Sequence, residues 1–268
     1  MIDTNNYSKN AKIQETIEML NSIGLLALPV APMQTDKKYW KRNRVTGKVE
    51  IDKDGNPKLI FTGKNPSYLD VNGNPHIIRH KAYQHKSPDD YELRKWFANP
   101  ENGIGTLGGQ ENIIFIDIDI DKFDSQEDCE IQTVNWANKH PQVKKTWTEV
   151  THSGGFRVAI KVKQIPNFTN FSFEPNGKHR GEALGTGRFT VLAPTIGPSG
   201  EPYKGFRKHS IIEIDSLESI GIFSVKSKNK KSENKLSRKK NLEVDNNYMT
   251  DVHLCLLGNS ETQKLLAG

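Results

Sequence analysis

Hydrophobic positions in the first hundred residues follow helical spacing in two places, with an extended run between them. Ile13, Ile17 and Leu20 recur on one stripe of residues 9–23, which predicts an amphipathic helix. The apolar run GLLALPVAP, which contains two prolines, predicts a buried strand. The stretch SPDDYELRKWFANP predicts a second helix, with Ser87 as its N-cap.

From residue 112 to residue 214 the pattern favours strands. NIIFIDIDI is the strongest, KTWTEVT and GFRVAIKVK flank the turn HSGG, and GRFTVLAP and SIIEI follow. One helix interrupts them, SQEDCEIQTVNWANKH, with Ser125 as its predicted N-cap. Strands that follow an early helical part, without regular strand–helix alternation, predict an α+β domain with a mixed or antiparallel sheet.

The polar stretches divide the chain into a domain and a tail. Residues 34–86 are polar, broken by Gly and Asn, and long for a connection, so we expect an insertion within a domain that spans residues 1–224. Inside it, KVEIDKDGNPKLIF has the character of a hairpin. Residues 225–241 are predicted to be a basic flexible linker. Residues 242–268 are predicted to begin a C-terminal helical segment that this chain truncates.

Composition and charge add little to this predicted organisation. Residues 226–240 hold seven Lys, one Arg and one Glu, so the total net charge of +6 lies in the tail and the remainder is close to neutral. No apolar run approaches the roughly 20 residues of a membrane helix. Two distant cysteines suggest neither a disulfide framework nor a Cys-rich zinc site. We therefore expect a cytoplasmic protein that does not bind membranes.

Three aspartates alternate with isoleucines in FIDIDID. If the strand continues, Asp117, Asp119 and Asp121 lie on one face, although strands disfavour Asp. Carboxylates placed in this way suit a divalent cation such as Mg²⁺. A strand with a solvent-covered polar face is the alternative, and D-x-D patterns also occur in metal-dependent glycosyltransferases.

A fourth carboxylate precedes a later strand. Glu182 opens the Gly-punctuated stretch GEALGTGRFTVLAP. At the mouth of a neighbouring strand it would complete a metal site with Asp117 and Asp119, and two metals there would clamp a nucleotide for in-line displacement. Taken by itself, Glu182 is better explained as a surface acid.

The stretch THSGGFRVAIKV predicts an anion-binding turn. Gly154 and Gly155 let backbone N–H groups approach an anion, and Ser153 offers a hydroxyl. Arg157 follows on the next strand, where a guanidinium suits a phosphate. The alternative is an ordinary hairpin with Arg157 in water.

In this order, the three motifs resemble those of the archaeo-eukaryotic primase superfamily, above all the bifunctional primase–polymerase (Prim-Pol) domains of plasmid and phage replication proteins. The likeness runs from about residue 12 to about residue 206. It implies an RRM-like catalytic sheet joined to a smaller N-terminal α/β unit. It also implies template-directed synthesis on DNA from NTPs or dNTPs, with Mg²⁺ or Mn²⁺, and a helicase or helical domain C-terminal to this chain. By this resemblance, Asp117, Asp119 and Glu182 are catalytic metal ligands and Asp121 lies outside the metal site.

One position departs from the family. Arg157 stands where the family usually has the His that contacts the triphosphate. Arg binds phosphate well but cannot titrate near neutral pH. His152 could replace that His, and Arg188 in GTGRF is a further candidate for phosphate or template contact. Two functions stay open: an active primase/polymerase, or a replication initiator that binds nucleic acid without the chemistry.

Overall fold

The computed structural model describes residues 7–206 and 210–225. These residues contain three α-helices: α1 (Ala11–Ser22), α2 (Asp90–Phe97) and α3 (Gln126–Lys139). Their strands are β1 (Leu28–Val30), β2 (Ser67–Leu69), β3 (Pro75–Ile77), β4 (Gly103–Leu107), β5 (Ile113–Ile118), β6 (Thr148–Val150), β7 (Phe156–Val162), β8 (Asn170–Ser172), β9 (Gly181–Leu184), β10 (Phe189–Leu192), β11 (Lys204–Phe206), β12 (Glu213–Ile214) and β13 (Phe223–Ser224). The predicted α+β class is confirmed.

Two parts of the predicted organisation fall outside this description. The basic linker, except for its first residue, and the C-terminal helical segment lie outside the described residues. Among the helices that are described, none combines the length and the apolar character that a membrane span requires.

The larger sheet has the strand order β11-β6-β7-β5-β9-β8-β13, and β12 adds to β7 in parallel. β5 lies at its centre and pairs antiparallel with β7 on one side and β9 on the other. Helix α3 connects β5 to β6, so the four central strands β6-β7-β5-β9 have the RRM-like arrangement that the resemblance implies.

A smaller sheet has the order β1-β4-β10 and carries α1 and α2. Its third strand, β10, comes from the far end of the domain and pairs antiparallel with β4. The resemblance implied that the smaller unit is N-terminal. The structure shows that it also contains β10, from the C-terminal part of the domain. This exchange joins the two sheets, because β10 follows β9 of the larger sheet after only a short turn.

β5 is buried on both faces, which explains its apolar run. Ile116 and Ile118 pack in the core that contains Trp136 of α3. Phe115 faces the other core, where its ring meets Trp147 edge-on with centroids 5.7 Å apart. Side chains alternate along a strand, so Asp117 shares the face of Phe115. The carboxylate thus lies on the side away from α3.

The observed starts of α3 and α2 and the observed end of β5 can be compared with the predicted ones. Ser125 caps α3 by accepting from the N–H of Asp128 at 3.0 Å, as predicted. Helix α2 begins two residues later than expected, because Asp89 forms a capping box with Glu92 and Ser87 does not cap it. β5 ends at Ile118, and a 3₁₀ helix follows at Ile120–Lys122. Asp121 therefore does not continue the strand.

The predicted insertion splits into two parts. Residues 40–59 form a bridged arm, with antiparallel bridges between Trp40 and Leu59, between Arg42 and Val49, and between Ile51 and Pro57. β2 and β3 then pair antiparallel beside β1. The hairpin character of KVEIDKDGNPKLIF is confirmed by these bridges.

Candidate active site

Four charged residues lie in one row across four neighbouring strands of the large sheet. The strand register pairs Glu149 with Arg157, Arg157 with Asp117, and Asp117 with Glu182. Directly opposite residues of antiparallel strands have Cα atoms about 4.5–5.5 Å apart and point to the same face. The fold therefore brings Asp117 and Glu182 side by side from distant parts of the sequence.

Arg157 occupies the middle of this row and is buried, with 4% of its surface exposed. Its Nη2 donates to both carboxylate oxygens of Asp117 at 3.1 Å, and its Nη1 lies 3.5 Å from Glu149 Oε2 and donates to the carbonyl oxygen of Val191. Its guanidinium lies over the ring of Tyr203 at 5.4 Å. The sequence predicted an Arg free to hold phosphate, whereas the structure places an internal counter-ion between two carboxylates.

Glu149 is the residue of the row that sequence reasoning missed. Its side chain is almost fully buried, at 1% exposure. It accepts hydrogen bonds from Trp147 Nε1 at 3.2 Å and from the Ala193 N–H at 3.1 Å, besides its ion pair with Arg157. A buried carboxylate requires such partners. The sequence did contain a signal for this residue. In KTWTEVT, Glu149 lies two residues after Trp147 and therefore on the same strand face, where a buried side chain is expected.

Asp119 and Glu182 are the uncompensated acids of the site. Within residues 7–206 and 210–225, neither carboxylate accepts a hydrogen bond or forms an ion pair. Burial, together with the charges of Asp117, Asp121 and Glu182, raises the pKa of Asp119 to about 6. A cation at this position would relieve that repulsion.

These acids fit a divalent cation by their chemistry, although they do not form a closed cage. Carboxylate oxygens are the protein ligands of Mg²⁺, which keeps several waters and shares phosphate oxygens. Arg157 uses two acceptor positions of Asp117, and a carboxylate has about four. In the described part of the chain, no group of three or more His, Cys, Asp or Glu side chains forms a ready-made metal site. The remaining ligands would have to come from water or a substrate.

The acids line a cleft of about 150 Å³. Its walls come from both sheets, the SGG turn and the insertion: Lys64, Asp117, Asp119, Thr151, His152, Ser153, Arg157, Glu182, Leu184, Phe189, Thr190, Val191 and Tyr203. Four buried side-chain polar atoms lack a hydrogen-bond partner in the described residues, and three belong to this lining: His152 Nε2, Arg157 Nε and Thr190 Oγ1. Unsatisfied buried polar atoms are uncommon. Their concentration in one cleft indicates a place for a polar ligand.

The predicted anion-binding turn lies at the cleft. Ser153 is exposed there, and its hydroxyl lies 3.3 Å from that of Thr151. The N–H of Gly154 donates to the Thr151 carbonyl at 2.9 Å, and its φ of 89° requires glycine. A Cβ at Gly155 would overlap the carbonyl oxygen of Ile118. Gly154 therefore shapes the turn without offering a free amide, and Gly155 allows the turn to approach the end of β5.

The other two predicted nucleotide contacts differ in position. His152 lines the cleft, and its Nδ1 lies 3.0 Å from Ser199 Oγ. Burial, with the nearby charges of Lys64 and Arg157, lowers the pKa of His152 to about 4, so the ring is neutral at physiological pH. Arg188 is exposed on the turn before β10 and donates to Thr169 Oγ1 at 3.1 Å. The structure does not bring Arg188 into the cleft.

Comparison with known proteins assigns the part of the chain that contains this cleft to a family. No curated protein matches the chain. The sequence model of the family described as bifunctional DNA primase/polymerase, N-terminal (Prim-Pol), matches residues 25–219, which include every cleft residue named above. Because this match spans well over half of the sequence, the chain belongs to the Prim-Pol family of bifunctional DNA primase/polymerase N-terminal domains.

Proposed function

We propose that this Prim-Pol domain carries out template-directed nucleotidyl transfer, joining NTPs or dNTPs to a strand paired with DNA, in the replication of a plasmid, phage or other mobile element. The observation that carries the proposal is the cross-strand pairing of Asp117 with Glu182. It gathers acids from β5 and β9 at one cleft wall, and that cleft also contains unsatisfied polar atoms suited to a nucleotide.

Asp117, Asp119 and Glu182 are the residues that would hold Mg²⁺ or Mn²⁺. When bound, such ions neutralise the triphosphate and lower the pKa of the attacking 3′-hydroxyl. The raised pKa of Asp119 supports this assignment, because burial and repulsion by the neighbouring acids raise it, and a cation would relieve that repulsion. The unpaired state of Glu182 within the described residues supports it as well.

The other cleft residues position the reactants. Ser153 offers its exposed hydroxyl to a phosphate oxygen. His152 presents an uncharged ring whose Nε2 has no partner in the described residues, so it can form one hydrogen bond to a ligand but carries no positive charge. Arg157 fixes the orientation of Asp117 by its two hydrogen bonds. Positioning and charge neutralisation supply most of the rate in reactions of this class.

A primer-extension assay tests the proposal. With Mn²⁺, a fluorescent primer on a DNA template and each of NTP and dNTP, we expect the wild-type chain to add nucleotides and Glu182→Gln to lose at least about a hundredfold in rate. Asp121→Asn is the matched control, because Asp121 is 75% exposed and pairs with Lys122 outside the acid row. Equal rates in wild type and Glu182→Gln would remove the proposed mechanism.

One observation favours a second function, a replication initiator that binds nucleic acid without synthesis. The guanidinium of Arg157 already neutralises Asp117, and a metal would have to share that carboxylate with it. In the extension assay this alternative predicts bound template and no added nucleotide in the wild-type chain. The glycosyltransferase alternative has no comparable observation in its favour, and the family match gives it no support.

A further inference from the structure

Lys64 enters the cleft from the insertion, on a turn that is firmly held. The N–H and the hydroxyl of Thr62 both donate to Asn65 Oδ1 at 2.8 Å. Gly63 has a φ of 72°, and a Cβ there would lie 3.3 Å from the backbone of Met33, so the turn packs closely. Phe61, before the turn, is buried. The backbone of Lys64 is therefore fixed while its side chain is exposed at the cleft.

Lys64 forms no ion pair with an acid in the described residues, although its charge contributes, after Lys122, to the lowered pKa of Asp121. The neighbouring lysines on the same insertion behave differently, because Lys41 and Lys58 reach Glu50 at 3.1 Å and 3.8 Å. Lys64 forms neither an ion pair nor a side-chain hydrogen bond within residues 7–206 and 210–225. The charge of Lys64 nevertheless acts within the site. Burial is the main cause of the lowered pKa of His152, and the charge of Lys64 lowers it further.

The second cation of the cleft lining cannot serve a ligand in the same way. Arg157 is buried, and its two amino groups are held by Asp117, Glu149 and the Val191 carbonyl, so its charge is already shared between two carboxylates. A nucleoside triphosphate that approaches Asp119 and Glu182 meets negative charge, so binding requires positive charge beyond the bound cations. Among the described residues that line the cleft, Lys64 is the cation left to supply it.

We propose that Lys64 binds the phosphate groups of the incoming nucleotide in this cleft. The inference rests on the proposed nucleotidyl transfer and assigns to Lys64 the phosphate contact that the sequence had suggested for Arg157. The ammonium group of Lys acts as a flexible point charge toward phosphate. Lys64 thus makes the insertion part of the active site.

Nucleotide binding without turnover tests this assignment. The probe is a fluorescent dATP, titrated by anisotropy with the wild-type chain, Lys64→Ala, Lys64→Arg and Lys53→Ala. Lys53→Ala is the matched control, because Lys53 is exposed on the same insertion and does not line the cleft. We expect Lys64→Ala to weaken binding about tenfold, the usual scale for one charge-assisted hydrogen bond, with Lys64→Arg and Lys53→Ala within about twofold of wild type.

Two further binding measurements show whether Lys64 contacts the phosphates of the nucleotide or those of a DNA strand. The loss in Lys64→Ala should be much smaller for the corresponding deoxynucleoside, which has no phosphate, and binding of a single-stranded DNA oligonucleotide should change less than twofold. Wild-type affinity for dATP in Lys64→Ala would overturn the proposal. A loss confined to the oligonucleotide would overturn it too, by assigning Lys64 to the nucleic-acid strand. Because binding is measured without synthesis, a tenfold loss supports Lys64 even if the chain proves unable to extend primers.

Discussion

Arg157 Nη2 lies 3.1 Å from both carboxylate oxygens of Asp117, in the position opposite Asp117 on the neighbouring strand. Its other amino group reaches Glu149, so one buried guanidinium links two carboxylates. Burial alone would lower the pKa of Arg157, but Asp117 and Glu149 raise it above the ordinary value, so the side chain stays charged. Arg157, at the position where the resemblance implies a His, is therefore built into the structure of the site.

Removing Arg157 should destabilise the domain strongly. Arg157→Gln leaves Glu149 buried without its counter-charge, and such a loss typically costs about 3–5 kcal/mol. The free energy of unfolding in urea measures the effect. Glu149→Gln combined with Arg157→Gln should cost less than the sum of the two single changes, because the two charges are then removed together. Strict additivity would show that the pair is not coupled.

Substitution by alanine should have different effects at Gly154 and at Gly155 of the SGG turn. Gly155→Ala places a Cβ against the Ile118 carbonyl, where the backbone must shift, so we expect a loss of about 2–3 kcal/mol. Gly154→Ala has space around the new Cβ, the nearest atom being 3.6 Å away, and costs only the strain of a positive φ, about 1 kcal/mol. Thermal unfolding of both variants, with the wild type beside them, gives the comparison. A Gly154→Ala loss larger than that of Gly155→Ala would contradict the close approach.

Asp119→Asn should stabilise the metal-free protein at neutral pH. The pKa of Asp119 is raised from 3.8 to about 6 in the fold, so ionised Asp119 penalises the folded state. That penalty grows as the pH rises from 3.8 to 6 and is constant above pH 6. With allowance for solvent screening of this partly exposed group, we expect a gain of about 1 kcal/mol, or about 2–4 °C in Tm, at pH 7.5.

The sign of the Asp119 effect can be checked within the same variant. At pH 3.5 the carboxyl is protonated in the folded chain and mostly protonated in the unfolded chain, so most of the gain should be lost there. Scanning calorimetry at the two pH values, in the presence of a chelator, makes the measurement. A lower Tm for Asp119→Asn at pH 7.5 would mean that Asp119 is stabilising, contrary to its surroundings in this structure.

His152 should stay uncharged through the physiological range. Burial and neighbouring positive charges lower its pKa from 6.5 to about 4, so the folded state loses stability as the pH falls from 6.5 toward 4. The imidazole signals of His152 in an NMR titration should not shift between pH 5.5 and pH 8. A midpoint near 6.5 for His152 would contradict the burial and the charges that surround its ring.

Local signals in the sequence predicted most of the elements that carry the site. Helices α1 and α3 and the cap at Ser125 follow from periodicity and capping chemistry within a few residues. The N-cap of α2 was misassigned, because Ser87 and Asp89 are both good caps and only the contact with Glu92 decides between them. Tertiary context also ends β5 at Ile118, three residues before the I-D alternation ends at Asp121.

The contacts that matter most were beyond any local pattern. The pairing of β10 with β4 joins segments some eighty residues apart, and nothing in GRFTVLAP indicates its partner strand. The burial of Arg157 depends on Glu149, which lies on a different strand and has no motif of its own. Lys64 lines the cleft on a turn that packs against Met33, a contact that no local pattern indicates. The acids were identifiable from motif order, whereas their counter-ions required the fold.

The proposed function requires that carboxylates from β5 and β9 share divalent cations that carry a nucleotide. Its most direct test is a crystal of this chain grown with Mn²⁺ and a dNTP, examined by anomalous scattering of the metal. We expect a Mn²⁺ peak within about 2.5 Å of oxygens from Asp117 or Asp119 on one side and from Glu182 on the other. A peak elsewhere, or a nucleotide bound in the cleft with no metal between these side chains, would contradict it.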